Sequence, residues 1–379
     1  MAIQKEKIAV ITSVHYPALE PRIYYKEILS LAEKYLVHYI FPDDGKQTLP
    51  NTHNVINHQI PLVKNRLKRV LMQWQIIKII NTLKKLKCIH IHDPELILSG
   101  LFLKAKSHKI IFDLHEDIIN SISEKTYIPE HLRRFTSFLI KGLFHFVRNT
   151  FDYWILAEDS YQVHFNGKAN HEVIHNYPKP SFSENIMLSS KNNGSMIYVG
   201  QITIDRGVLV MIEVVHQLRQ KGHSYYLTLV GKIPDISTKI KMEALIAKYH
   251  LHNNIKFVNH VPNEKIYSHL SKHSIGLALL KPLKNYVHSI PTKVYEYMLT
   301  GIPVVVSDFP MYKKFVLKNE CGFAVNPENI NQIAEHILML YSDLKMMNRF
   351  GENGKRAAAK YYNWSSEKIK LFKIYNNLN

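Results

Sequence analysis

Cysteine is all but missing from this chain. Cys88 and Cys321 are the two among 379 residues, and they fall in different halves. They offer neither a disulfide framework nor a cysteine-based zinc site, and so few thiols fit a reducing cytoplasm. Long apolar runs are missing as well: no stretch approaches the ~18 consecutive apolar residues that a membrane-spanning helix needs. The opening MAIQKEKIAVITSV lacks a signal peptide's order of basic region, long apolar core and small-residue cleavage site, and Ile8–Thr12 reads as a first strand. The dinucleotide fingerprint G-x-G-x-x-G does not occur, nor does Asp-x-Asp. Helix-turn-helix, zinc-finger, RRM and KH signatures are absent too, so nucleic acid is not the expected partner.

Acid is also in short supply. Against 49 Lys and Arg stand 31 Asp and Glu, a net charge of +18. Such a surface favours a polyanion or an anionic membrane. What the chain does have is apolar residue, 46% of the total, and length enough for two domains with full cores.

Short apolar runs alternate with helical patterns. The first half offers Ile8–Thr12, Val37–Phe41, Cys88–His92, Ile110–Leu114, Tyr153–Ala157 and Val173–His175. The second offers Met196–Val199, Leu227–Val230, Ile255–Val258, Ile275–Leu280 and Val304–Ser307. This predicts an α/β protein with parallel sheets under covering helices. The Pro-, Ser- and Asn-rich stretch 179–194 reads as a linker between a domain 1–178 and a domain 195–379, whose last helix is placed back on the first domain. Two sheets of this type bind ligands between domains, at the carboxyl ends of strands.

The stretch SIPTKVYEYMLTGIPVVVSDFP, Ser289 to Pro310, reads as a helix and then a buried strand. Pro291 suits the helix start, Gly301 the position past its end, and Pro303 forbids continuation. Lys293 is the odd residue, because a cation in the first turn opposes the helix dipole. Its placement makes sense beside a bound anion. Glu296 lies one turn on, on the same face, so a local Lys293–Glu296 surface pair is the alternative.

Tyr198–Gly207, YVGQITIDRG, follows a strand and opens a helix at Val208. Gly200 permits a sharp turn and Gly207 a close backbone approach. Arg206 can reach a diphosphate with its planar fork; a solvated loop arginine is the alternative. In HIHDPEL, alternation puts His90 and His92 on one face. With Asp93 they are ligand types, but no further cluster completes a metal site. His115 in FDLHED follows a strand end, where Glu116 and Asp117 can orient it and tune its protonation; a histidine in a polar loop is the alternative. The loop from Thr12 to Glu27 carries His15 and Arg22 towards a helix start.

Two segments look built for a membrane surface. Lys64–Lys87 holds eight Lys or Arg and no acid, with Leu67, Val70, Leu71, Trp74 and Ile77 at helical spacing. His131–Arg148 sets Arg133, Arg134, Lys141 and Arg148 among Phe135, Phe138, Leu139, Leu143, Phe144 and Phe146. Basic amphipathic helices with aromatic faces bind anionic lipid. Domain core is the alternative for both stripes, and for the second it is the favoured one, with a basic rim.

The motif PTKxxEYMxxGxPVVxSD resembles the donor-site signature of glycosyltransferase family 4, enzymes of the GT-B fold that use nucleotide sugars. The resemblance runs from Thr12 to the segment NWSSEKIKLFKIY. It implies two Rossmann-like domains, the first binding the acceptor and the second the nucleotide sugar. It implies that Glu296 contacts the ribose, and that Arg206 and Lys293 stabilise the diphosphate with Gly200 and Gly207 shaping their loop. His288 stands where the usual signature has a second glutamate, at the sugar, and Gln201 stands where a first phosphate cation is usual. His115 matches a histidine that contacts the transferred sugar, while His15, Arg22, His92 and Asp93 match the acceptor side. The implied reaction is a retaining, metal-independent transfer from a nucleotide-diphosphate sugar, UDP before GDP, with no cofactor. Together with the charge, the resemblance points to a lipid-linked glycan acceptor in surface polysaccharide assembly (O-antigen or capsule), on the cytoplasmic membrane face. A GT-B sugar epimerase and a non-enzymatic basic protein binding nucleic acid or lipid are the rival readings.

Overall fold

Strands such as Val304–Ser307 are apolar on both faces and must be covered on both. The computed structural model builds two sheets this way. It describes residues 5–14, 18–43, 45, 49–63, 65–115, 130–165, 167, 169–180, 194–259 and 261–378. The chain forms two compact units, Met1–Asn176 with Ser365–Asn379, and Tyr177–Trp364.

The first unit holds β1 (Lys7–Ile11), β2 (Leu36–Asp43), β3 (Val55–Pro61), β4 (Leu86–Ile91), β5 (Ile110–Leu114), β6 (Tyr153–Leu156) and β7 (His171–Val173). They form one parallel sheet of order β3-β2-β1-β4-β5-β6-β7. Alternation sorts its side chains. Ile89, Ile91, Phe112 and Leu114 join a core with Met72, Ile76 and Ile80 of the helix Arg66–Thr82, Leu103 of Ile97–Ala105, and Phe144 and Val147 of Glu130–Thr150. The intervening His90, His92 and Asp113 point to the other face, where Arg22, Glu27 and Tyr375 lie buried. Tyr375 belongs to the helix Trp364–Asn377, which packs on this first sheet: its hydroxyl meets His90 Nδ1 at 2.8 Å, and Lys370 donates to the Val173 carbonyl at 3.1 Å.

The second unit holds β8 (Ser195–Val199), β9 (Tyr226–Val230), β10 (Ile255–Val258), β11 (Ile275–Ala278), β12 (Val304–Ser307) and β13 (Gly322–Val325), parallel in the order β10-β9-β8-β11-β12-β13. Again one face takes alternate residues. Tyr198, Leu277 and Val305 pack with the helices Val208–Gln220 and Ile330–Ser342. Ile197, Ala278, Val304 and Val306 pack with Thr292–Leu299 and Pro310–Asn319. Each strand order reverses once, at β1/β4 and at β8/β11, and such switch points are where open α/β sheets bind ligands.

The expected strands form, with ends moved by a residue or two, and two further strands appear. β3 is a polar edge strand on which Ile60 alone is buried, so it carries little hydrophobic signal. β13 is short and begins at Gly322, whose φ of 156° places it outside ordinary strand geometry for other residues. Of the expected linker, residues 181–193 lie outside the described residues, as do His15, Glu116 and Asp117.

Candidate functional site

In the second unit the loop after β8 is held at both sides. Gly200 N–H donates to the Val230 carbonyl at 2.9 Å and Lys281 N–H to the Asp205 carbonyl at 2.9 Å. Gly207, at φ 80°, sits so close to β11 that an added Cβ would lie 1.8 Å from the Leu279 carbonyl oxygen. The close approach that Gly207 makes is therefore to its own chain. Gly200 adopts φ 129° and turns the backbone sharply. A glycine not singled out from the sequence supports it: a Cβ on Gly231 would lie 1.9 Å from the Gly200 carbonyl oxygen. The visible signal for it is a glycine directly after a strand.

Lys293 and Arg206 converge on this turn. A Cβ built on Gly200 would stand 3.3 Å from Lys293 Nζ and 3.4 Å from Arg206 Nη1. Lys293 is 6% exposed, so it is no surface partner for Glu296. Its Nζ lies 4.2 Å above the Tyr198 ring and donates to the Tyr198 hydroxyl at 3.1 Å, and that hydroxyl donates to the Gln201 carbonyl at 2.7 Å. Burial, and then the Arg206 charge, push the Lys293 ammonium well below its ordinary value, with Glu296 acting against them. Arg206 lies 5.9 Å from the Tyr286 ring. Neither the helix beginning at Val208 nor that beginning at Thr292 has a side-chain cap, and neither has an acid in its first turn. Helix starts without a side-chain cap and two cations are the groups from which anion sites are built. Glu296 is half-buried one turn beyond Lys293. His288 is exposed past the short helix Lys284–Val287, and among the described residues no hydrogen bond or ion pair joins it to the others.

In the first unit, four side chains of metal-ligating type gather where the sequence offered no complete set: Glu27, His92, Asp113 and His115 have ligand atoms within 4.8 Å of one another. Arg22 sits among them. It forks onto Asp113, with Nη2 to Oδ2 at 2.9 Å and Nε to Oδ2 at 3.2 Å, and its Nε is 2.9 Å from Glu27 Oε1. Nη1 donates to the Ile174 carbonyl at 2.7 Å. At 2% exposure Arg22 is spent within the fold and not presented to an acceptor. Asp113 is held well below the usual carboxylate range: burial opposes its charge, and Arg22 overcomes burial. Glu27 moves the opposite way, raised by burial and then by Asp113. The two carboxyls are thus driven apart: Asp113 towards the charged form and Glu27 towards the protonated one. His92 is buried and pushed well down, chiefly by burial and then by His90. Asp93 accepts the Glu95 N–H at 2.9 Å and caps the turn Pro94–Leu96.

His115, 20% exposed, is the member of this cluster that reaches the surface. Its Nε2 lies 3.4 Å from Asp113 Oδ1 and 3.2 Å from His92 Nδ1. The carboxylate beside it thus comes from two residues earlier on β5, the spacing at which alternation puts side chains on one face.

The two basic helices divide between core and surface. On Arg66–Thr82, Met72, Ile76, Ile77 and Ile80 are buried, while Val70, Leu71 and Trp74 are exposed, Trp74 by 55%. Trp74 meets Phe102 of the neighbouring helix edge-on at 5.8 Å, and Leu98 beside it is exposed as well. On Glu130–Thr150, Phe144, Val147 and Arg148 are buried, but Phe138, Leu139 and Phe146 are exposed, which corrects the expectation that this stripe is core. No helix among the described residues is long and apolar enough to cross a membrane.

Residues 183–357 match the family model described as glycosyl transferases group 1. The chain is 24% identical over 183 residues to alpha-D-kanosaminyltransferase of Streptomyces kanamyceticus, covering 48% of this chain and 45% of the relative. It is 28% identical over 148 residues to the amylovoran biosynthesis glycosyltransferase AmsK of Erwinia amylovora, covering 39% and 35%. The matches thus span less than half the length of these relatives. Among solved structures, sucrose-phosphate synthase of Thermosynechococcus elongatus superposes with a TM-score of 0.77 at 17% identity over 99% of both chains. Anabaena HepE in complex with UDP-glucose superposes with a TM-score of 0.71 at 14% identity, over 98% of this chain and 99% of that one. The fold is the GT-B fold of these structures, and the stretch that matches the glycosyl transferases group 1 model lies in the second unit, with its first residues in the expected linker.

Proposed function

We propose that the chain is a glycosyltransferase that moves a sugar from a nucleotide-diphosphate sugar to an acceptor hydroxyl. The observation that carries this reading is the pairing of buried Lys293 with Arg206 over the Gly200 turn, at the β8/β11 switch point of the matched domain. Two cations converging on one turn, with two helix starts that lack side-chain caps, are suited to stabilise charge that grows on a departing diphosphate. Arg206, Lys293, Gly200 and Gly207 form the diphosphate end, Glu296 takes the ribose, and His288 borders the sugar. His115 contacts the transferred sugar. The domain 195–379 binds the donor, the domain 1–178 the acceptor, and 179–194 links them. The transfer is retaining and independent of a metal ion.

UDP is the favoured nucleotide, in keeping with the UDP-glucose bound by HepE. The relative in amylovoran biosynthesis favours a glycan acceptor of the surface-polysaccharide kind. The exposed Val70, Leu71, Trp74, Leu98, Phe138, Leu139 and Phe146, among exposed Lys68, Lys78 and Lys141, favour work on a lipid-linked glycan at an anionic, cytoplasmic membrane face. The test is calorimetry with UDP and GDP, followed by product analysis with UDP-sugars and a lipid-linked acceptor. Binding of neither nucleotide sinks the reading. Release of an altered free sugar or nucleotide sugar without transfer moves it to an epimerase.

A further inference from the structure

We propose that Asp113, fixed by Arg22, is the positioning residue for His115 and holds its imidazole as the tautomer protonated on Nε2, leaving Nδ1 as the unprotonated nitrogen. The inference rests on the reading of His115 as the sugar-contacting group. It starts from donor and acceptor inventory. An ionised carboxylate accepts and never donates. Asp113 is fully buried and carries the Arg22 fork, with Nη2 at 2.9 Å from Oδ2 and 3.2 Å from Oδ1. The ring nitrogen of His115 that faces Oδ1, at 3.4 Å, is Nε2, so that nitrogen must bear the proton.

The neighbours agree with the assignment. His92 Nδ1 lies 3.2 Å from the same His115 nitrogen, and His92 Nε2 lies 3.5 Å from Glu27 Oε2. A neutral His92 with its proton on Nε2 points that proton at Glu27 and turns its Nδ1 lone pair to the His115 N–H. Placing the His115 proton on Nδ1 instead, with His92 so protonated, would set three acceptors against one another: Asp113 Oδ1, His115 Nε2 and His92 Nδ1. An unsatisfied buried group of that kind is costly. Arg22, Asp113 and His115 thus form a donor-to-acceptor order that ends in one lone pair, on His115 Nδ1. A nitrogen so prepared accepts a hydrogen bond from a hydroxyl and does not donate one. The substrate group that His115 recognises is accordingly a hydrogen-bond donor, which a sugar supplies as a hydroxyl.

Nitrogen-15 NMR of histidine-labelled protein tests the assignment directly, with the His115 signals identified by their loss in His115→Gln. In the wild type, Nε2 should show the shift of a protonated ring nitrogen and Nδ1 that of an unprotonated one. In Asp113→Asn, Arg22 would keep the amide oxygen and turn the NH₂ to His115, so the two signals should exchange character. Turnover should then fall by about tenfold to a hundredfold while UDP affinity stays unchanged. Arg22→Lys, which keeps the charge and loses the fork, should give a mixture of tautomers and an intermediate rate. A protonated Nδ1 in the wild type overturns the proposal, whether or not the variants fold. So does an Asp113→Asn spectrum that keeps the wild-type tautomer. If the tautomers behave as stated but His115→Ala turns over normally, the positioning stands and the reading of His115 as a sugar contact is what fails.

Discussion

His175 is bound to Glu367 from both its backbone and its ring: its N–H donates to Oε2 at 2.9 Å, and its Nδ1 lies 3.8 Å from the same oxygen. On its other side Nε2 is 3.1 Å from Asp159 Oδ2. Burial alone would lower the His175 pKa, but the hydrogen bonds and charges of Asp159 and Glu367 raise it from 6.5 to about 9. Because the folded value is raised, this stabilisation is complete below pH 6.5 and is lost as pH climbs through 9. Glu367 is lowered, against burial, by His175 and Lys370, so its share is present above its ordinary 4.5 and fades on acidification. His175→Gln should therefore cost about 1.5–3 kcal/mol at neutral pH. The difference from wild type should shrink towards zero near pH 10 in denaturant titrations. An equal gap at both pH values removes the ion pair as its cause.

Lys293 gives a prediction about protons. Its ammonium is depressed by burial and by Arg206 in the unliganded protein. A diphosphate beside it would raise that pKa again, so nucleotide binding should take up protons at any pH where the free lysine is partly deprotonated. Calorimetry in buffers of different ionisation enthalpy reads this as a changed apparent heat. Lys293→Ala and Glu296→Ala should each weaken UDP binding by about 1.5–3 kcal/mol, and proton uptake should vanish in the lysine variant alone. Unaltered affinity in both variants would remove these residues from the donor site.

Two glycines separate backbone strain from packing. Gly222 has φ 85° with open space around it, whereas Gly207 has φ 80° and a neighbour, the Leu279 carbonyl oxygen, only 1.8 Å from where a Cβ would stand. Gly222→Ala should cost about 1–2 kcal/mol, the left-handed penalty alone. Gly207→Ala adds overpacking of about 1–3 kcal/mol or more. Equal losses of stability in the two variants would show that the loop yields without cost.

The surface prediction concerns lipid. Arg66, Lys68, Arg69 and Lys78 changed to Gln should lower co-sedimentation with anionic vesicles and leave UDP affinity intact. Trp74→Ala should do the same without changing charge. Raised salt should release the wild type, since charges are screened over about 8 Å at physiological strength. Wild type that stays in the supernatant at low salt leaves the exposed stripe without a lipid role.

The sheets are legible in the sequence because buried parallel strands write themselves as apolar runs, and the Gly200 turn because its glycines and Arg206 closely follow a strand end. Edge strand β3 is not, since only Ile60 of it is buried, exposed Ile56 lies among polar residues, and little apolar periodicity marks it. Alternation places His90 and His92 correctly on one face, but it cannot show their company. Arg22, Glu27 and Asp113 lie up to 91 residues apart and meet only through the fold. For that reason Arg22 reads as a loop cation; Asp113, by contrast, stands two residues before His115 on the same face by alternation, and reading Glu116 and Asp117 as its carboxylates neglects that period. The second basic helix defeats the pattern because spacing shows which residues share a stripe and not which stripe finds a partner.

The first unit is assembled from Met1–Asn176 together with Ser365–Asn379. During synthesis, then, the half that is begun first is finished last. Its sheet leaves the ribosome without Tyr375 over His90 and without Glu367 beside His175, and waits while 177–364 is translated, some ten to forty seconds at about 5–20 residues per second. A chain broken off after Trp364 would thus injure the first unit, and leave the second whole.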